Sequence, residues 1–130
     1  MKLGQPTIAL IEDDPLVRTT FARAIDDASY NVIAAANGTE GLALLDDHRR
    51  VIDLAIIDIR LPGLLDGVAV AREAKRQDPN LRVIFTSGWP PHVDISDLGE
   101  FMAKPARIPT VLEAIARQLR LKREIPPERD

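Results

Sequence analysis

The chain has 130 residues, 45% of them apolar and 28% charged, with a formal net charge of −3. This is the make-up of one globular domain with a proper core, and its charge does not favour a nucleic-acid binder. It has no cysteine, which excludes disulfides, thiol chemistry and Cys-type zinc sites, and only two separated histidines, His48 and His92.

Apolar runs alternate with amphipathic segments from the start. The opening Met-Lys-Leu-Gly-Gln-Pro has no apolar signal region, and no apolar stretch approaches the roughly 18 residues of a membrane span. A cytoplasmic location is therefore expected, with no membrane contact. Thr7–Glu12 reads as the first strand. Asp14-Pro15 then opens a helix, with Asp favoured as N-cap and Pro at the first helical position. Val17, Phe21, Ala24 and Ala28 fall at helical spacing and are expected to form its buried face. Asn31–Ala35 is the second strand. Asn37-Gly38 turns into a second helix that runs to about His48.

Leu54–Asp58 is the third strand, and a third helix runs from about Asp66 to Gln77, ended by Asp78-Pro79-Asn80. Arg82–Thr86 is the fourth strand. The stretch Gly88-Trp89-Pro90-Pro91-His92 resists helix, because proline disfavours it at and just before itself. A fourth helix should be one or two turns, or absent. Glu100–Ala103 is the fifth strand. A last helix covers about Ile108 to Leu121, with Leu112, Ile115, Ala116 and Leu119 inward. Residues 1–121 form the domain, and Lys122–Asp130 is a polar tail expected to be mobile. The basic run from Lys104 to Arg123 reads chiefly as a solvated face.

Five β/α units predict a doubly wound α/β fold: a parallel five-stranded sheet of flavodoxin-like order 2-1-3-4-5 between two layers of helices. Three strand ends then carry unexpected residues. Glu12 and Asp13 close the first strand, Asp58 the third, and Lys104-Pro105 the fifth. Burying a charge is costly unless it is paired or binds metal. Acids and a lysine at the carboxyl edge of a parallel sheet, where such folds bind ligands, point to one site.

These motifs, together with Asp58 in Asp-Ile-Arg-Leu-Pro-Gly, the pair Asp66-Gly67 and Ser87 after the fourth strand, resemble the receiver domain of two-component response regulators over residues 6 to about 121. The resemblance implies that Asp58 accepts a phosphoryl group from a phosphohistidine of a histidine kinase or phosphotransfer protein. A carboxylate is a competent nucleophile, but its charge repels the incoming group, so a divalent cation is needed between them. The resemblance implies Mg²⁺ (or Mn²⁺), held by Asp13, Asp58 and the backbone carbonyl of Arg60, with Glu12 acting through water. Lys104 would offset the phosphoryl charge, with its Lys-Pro peptide cis. Ser87 rather than Thr86 occupies the switch-hydroxyl position, and Phe101 the place of the rotating aromatic. A phosphoryl group carries roughly −1.5 to −2 charge and would bias the loops after the fourth and fifth strands.

The chain departs from the family pattern in three places. The loop Pro62–Gly67 is one residue longer, the Ser87–Lys104 stretch is about five shorter, and Ala106 stands where Phe is frequent. Phe85-Thr86-Ser87-Gly88 resembles a subgroup with a Phe-Ala-Thr-Gly segment and a degenerate fourth helix. Trp89 would cover the pocket, face a partner, or anchor its loop as a partly buried aromatic. The leading expectation is a stand-alone receiver that signals to a downstream protein, without direct DNA binding and catalysing only its own phosphorylation and dephosphorylation; a homodimer is left open. The alternatives are a phosphorylation-independent interaction module and the receiver part of a longer hybrid kinase or regulator. A phosphohydrolase is disfavoured because Arg60 stands where a second acid would be needed.

Overall fold

A computed structural model describes residues 1–124. Along the chain it contains β1 (Thr7–Ile11), α1 (Pro15–Asp27), β2 (Asn31–Ala35), α2 (Gly38–Asp47), β3 (Ile52–Asp58), α3 (Gly67–Gln77), β4 (Arg82–Ser87), β5 (Glu100–Ala103) and α4 (Ile108–Glu124). All strands pair in parallel, in the order β2-β1-β3-β4-β5. The expected doubly wound fold is therefore present.

Strand alternation divides the core in two. Ala9, Ile11, Ala55, Ile57, Val83 and Phe85 pack under α2 and α3. Their neighbours Ile8, Leu10, Leu54, Ile56, Ile84 and Met102 pack under α1 and α4. Both faces of the central strands are covered, which is why their sequences read as unbroken apolar runs rather than alternating ones. The helices start where their caps put them. The side chains of Asp14, Asn37 and Asp66 accept backbone N–H groups of the first turns of α1, α2 and α3.

Several expectations shift in detail. The buried face of α1 runs through Phe21 and Ile25, while Ala28 is exposed at the C-cap. The larger, branched Ile25 gains more from burial than the terminal alanine would. In α4 the buried positions are Val111, Ala114, Ile115, Gln118 and Leu119, with Leu112 and Ala116 on the flanks. This helix continues to Glu124, beyond Leu121, and Lys122 Nζ lies 3.2 Å from Asp53 Oδ1. The stretch expected to be a tail thus begins inside the helix, and residues 125–130 lie outside the described residues.

Between β4 and β5 there is no helix, only turns. Ile95 and Leu98 are buried and hold this segment against the α2/α3 side of the sheet. The carbonyl of Ile95 accepts the N–H groups of Leu98 and Gly99, and Lys75 Nζ donates to the Leu98 carbonyl at 2.8 Å. Gly99 is needed for that fit, because a Cβ there would lie 2.2 Å from the Val83 carbonyl oxygen.

The topology also places the acids. The chain moves outward from β1 to β2, then crosses to β3 on the other side of β1. The carboxyl ends of β1 and β3 therefore flank the switch point of the sheet, where a crevice opens.

Candidate functional site: an acidic cup closed by Lys104

Glu12 and Asp13 follow β1 directly, and Asp58 is the last residue of β3. One carboxylate oxygen from each lies within 4.8 Å of the others. Glu12 and Asp58 are buried, and Asp13 is exposed at the rim. Lys104, directly after β5, reaches across β4 into this group. Its Nζ donates to Asp58 Oδ2 at 2.7 Å and to Glu12 Oε1 at 2.5 Å. The Lys104-Pro105 peptide is cis.

The second carboxylate oxygens of Asp58 and Glu12 are held by backbone. Asp58 Oδ1 accepts the Arg60 N–H at 2.9 Å, and Glu12 Oε2 accepts the Asp14 N–H at 3.1 Å. Arg18 Nη1 donates to the Glu12 carbonyl at 2.9 Å and ties the loop after β1 to α1. The start of α3 is pressed against β3: Gly67 N–H donates to the Ile59 carbonyl at 2.8 Å, and a Cβ at Gly67 would lie 2.1 Å from the Asp58 carbonyl oxygen. Glycine at 67 is thus a steric requirement of the site.

Electrostatics follow from this crowding. Burial pushes the Glu12 carboxyl up to about 7; the bonds from Lys104 and Asp14 act against that, and the nearby Asp58 adds to it. Burial works against the Lys104 charge, but its two carboxylate partners outweigh it and hold the ammonium above its ordinary value. The cup therefore holds negative charge next to one cation. The ligand atoms it could offer are carboxylate oxygens, the type that a hard divalent cation such as Mg²⁺ takes, and nothing soft is present.

The family model described as the response regulator receiver domain matches residues 8–116. The chain belongs to the response regulator receiver family. A solved receiver domain from the hybrid histidine kinase CckA is 32% identical, with a TM-score of 0.77, over 87% of this chain and 98% of that one. A CheY-like receiver domain protein from Methanospirillum hungatei superimposes with a TM-score of 0.86 over 93% of this chain and 98% of that one, at 22% identity, which speaks for the fold alone. Among curated relatives, the response regulator receiver protein CpdR of Brucella abortus is 28% identical over 117 residues, 86% of this chain and 95% of that protein. The sensor kinase CckA of the same species is 33% identical over 86 residues. The chain spans 9% of that kinase and 46% of the Streptomyces coelicolor regulator AfsQ1, less than two thirds of either.

Of the residues expected to form the receiver's site, Glu12, Asp13, Asp58 and Lys104 are brought together. Ser87 is buried at the end of β4, in register with Ala103, and its carbonyl accepts the Lys104 N–H at 2.9 Å. Its hydroxyl is engaged by the following loop, where Oγ accepts the Trp89 N–H at 3.2 Å. Thr86, one residue earlier, is the register partner of Asp58. Phe101 sits on β5 opposite Phe85, is 37% exposed, and is not part of the acid–lysine group.

Two features were not legible beforehand. Trp89 is 62% exposed, so it does not anchor its loop by burial. Proximity in sequence to Ser87 gave no hint of what it meets: the Arg60 guanidinium lies 5.7 Å from its ring centroid. The second is Gly67, whose steric role was hidden in a motif that reads only as a turn and helix cap. Among the described residues no helix is long and apolar enough to cross a membrane.

Proposed function

We propose that this receiver domain takes a phosphoryl group onto Asp58 from a phosphohistidine of a histidine kinase or phosphotransfer protein, and that the change alters its affinity for a downstream protein. The observation that carries this is the Lys104 ammonium bridging Asp58 and Glu12, with the Asp13 carboxylate beside them. A carboxylate oxygen of Asp58 attacks phosphorus, the P–N bond to the donor imidazole breaks, and that nitrogen keeps the electron pair. Asp13, Asp58 and the Arg60 carbonyl would hold Mg²⁺, with Glu12 acting through water. When bound, the ion screens the charge between carboxylate and phosphoryl group. Lys104 follows the charge as it moves outward from Asp58 to the phosphoryl oxygens.

A stand-alone domain is supported by the 95% coverage of CpdR, itself a receiver protein. The match to the sensor kinase CckA supports a second reading, a receiver module within a hybrid kinase. A phosphorylation-independent interaction module is disfavoured, because it has no use for a buried, costly acid–lysine group.

Incubation with Mg²⁺ and acetyl phosphate, read by intact mass, tests the proposal. The wild type is expected to gain one phosphoryl group with loss of acetate, and Asp58→Asn none. Equal gain by both would remove Asp58 as acceptor.

A further inference from the structure

Asp58, Arg60, Trp89 and Ser87 form a chain of contacts that starts at the cup. Asp58 Oδ1 holds the Arg60 backbone N–H at 2.9 Å. The Arg60 guanidinium lies 5.7 Å from the centroid of the Trp89 ring. The Trp89 backbone N–H in turn donates to Ser87 Oγ at 3.2 Å. One end of the chain is Asp58, the other is the hydroxyl in the family's switch position, and the middle is a ring that is 62% exposed.

We propose that Trp89, clasped between Ser87 and Arg60, is the residue through which the state of Asp58 is read at the surface of this chain. The inference rests on the reading of Asp58 as phosphoacceptor given above. It assigns to Trp89 the reporting role that the family resemblance would give to Phe101.

The physical argument compares bonds. The Trp89 N–H to Ser87 Oγ bond is long for a neutral pair, and its neutral character makes it weak. A hydrogen bond to a phosphoryl oxygen is charge-assisted and roughly twice as strong as a neutral one. With a phosphoryl group on Asp58, the Ser87 hydroxyl gains more by turning toward it than by serving the loop. A turn about χ1 releases the Trp89 amide; a shift of the whole segment carries the amide inward. Either movement displaces residue 89. Arg60 acts in the same direction. Its guanidinium rests on an exposed ring, where cation–π attraction is small, and a phosphoryl dianion beside its own backbone is the stronger partner.

The segment is built to respond. Its ends are fixed, by β4 up to Ser87 and by buried Ile95 and Leu98. Between them no helix restrains residues 88–94, and Gly88 follows the switch hydroxyl with nothing within 4 Å of its would-be Cβ. Phe101 sits in the β5 ladder opposite Phe85, outside the acid–lysine group and outside this set of contacts.

Trp89 is the only tryptophan in the chain, so its fluorescence is residue-specific. The Mg²⁺-loaded protein is compared with and without acetyl phosphate, following in parallel intact mass, Trp89 emission, acrylamide quenching and the ¹⁵N–¹H resonance of the Trp89 amide. The expected result is a mass gain accompanied by a changed quenching constant and a moved amide resonance. In Ser87→Ala the quenching constant should be altered before phosphorylation and change less after it, through Arg60 alone; Ser87→Thr should restore the wild-type response. If mass is not gained, the acceptor reading itself fails. If mass is gained while Trp89 quenching and amide stay unchanged, or respond equally in Ser87→Ala, the clasp is overturned and the acceptor reading stands.

Discussion

Lys104 Nζ lies 2.7 Å from Asp58 Oδ2 and also binds Glu12 Oε1, so one ammonium holds two buried carboxylates together. This cation stands where a divalent ion would also be attracted, and the two compete for the same oxygens. Lys104→Met should therefore act oppositely on stability and on metal affinity. Without Mg²⁺ the variant should lose about 2–3 kcal/mol, short of the roughly 3–5 kcal/mol for a fully buried pair, because the lysine side chain is 22% exposed. Its Mg²⁺ affinity should rise by about tenfold or more, since a unit charge a few ångströms away is worth on the order of 1–4 kcal/mol. Urea denaturation with and without Mg²⁺ checks both; equal loss under both conditions would refute the competition.

The Glu12 carboxyl, pushed up to about 7 by burial, gives the cup a pH dependence. The folded state holds this proton more tightly than the unfolded chain, whose carboxyl has the ordinary value of 4.5. The stabilisation is complete below that ordinary value and is lost as pH rises through the folded value, with a slope of at most about 1.4 kcal/mol per pH unit. Metal binding runs the other way, because a protonated Glu12 no longer adds its charge to the cup or accepts from water on the cation. Mg²⁺ affinity should rise with pH up to about 7 and then level off. Glu12→Gln should flatten both profiles, which calorimetric titration across pH 5–9 and matching denaturation curves would reveal; an unchanged slope in the variant would assign the proton elsewhere.

Gly67 makes a steric prediction. A Cβ at this position would lie 2.1 Å from the Asp58 carbonyl oxygen and 2.8 Å from Ile59 Cα, both backbone atoms that cannot rotate aside. Gly67→Ala must push α3 away from β3 or shift the residue that carries the site. Overpacking of this kind typically costs about 1–3 kcal/mol. Slower phosphorylation of Asp58 should accompany the loss. Gly63→Ala offers a contrast: it has open space but a φ of 92°, so its cost is backbone strain in the loop and the rate at Asp58 should hold.

The sheet order and the strand ends were legible in the sequence because parallel strands buried on both faces write near-continuous apolar runs, and the acids and lysine of the site stand where those runs stop. Glu12, Asp13, Asp58 and Lys104 announce themselves as poor choices for a core. The short fourth connection was legible from its prolines. The direction of the Ser87 hydroxyl and the Arg60–Trp89 contact were not, because each depends on which of several rotamers a loop permits. The steric role of Gly67 was equally hidden, since the atom it must avoid lies in β3. Helix faces were misread where a small residue kept the right spacing but lay past the last turn, as at Ala28.

The edge of the sheet depends on one buried amide. Gln118 of α4 accepts from Arg82 Nε at 2.8 Å and donates to Glu100 Oε1 at 2.9 Å, joining β4, β5 and α4. Arg117 donates to the same carboxylate through Nε and Nη2 and holds the Glu100 carboxyl below its ordinary value. β5 is a four-residue edge strand with a neighbour on one side only, and this network adds a polar tie to α4 beside the packing of Met102. Gln118→Ala would take the acceptor from the part-buried Arg82 Nε and one of the two donors from Glu100 Oε1, which keeps Arg117 Nε, at a cost of about 1 kcal/mol. Because β5 leads directly into Lys104, the loss should also appear as faster amide exchange over Phe101–Ala103 while β1 and β3 keep their protection. The Glu100 contribution has the opposite pH sign to that of Glu12: it is present above the ordinary carboxylate value and fades as pH falls through the lower folded value. Hydrogen exchange at pH 7 and again in mild acid would separate the two, since acid should loosen β5 in the wild type and in Gln118→Ala, where Arg117 still holds Glu100, and change little in Arg117→Ala.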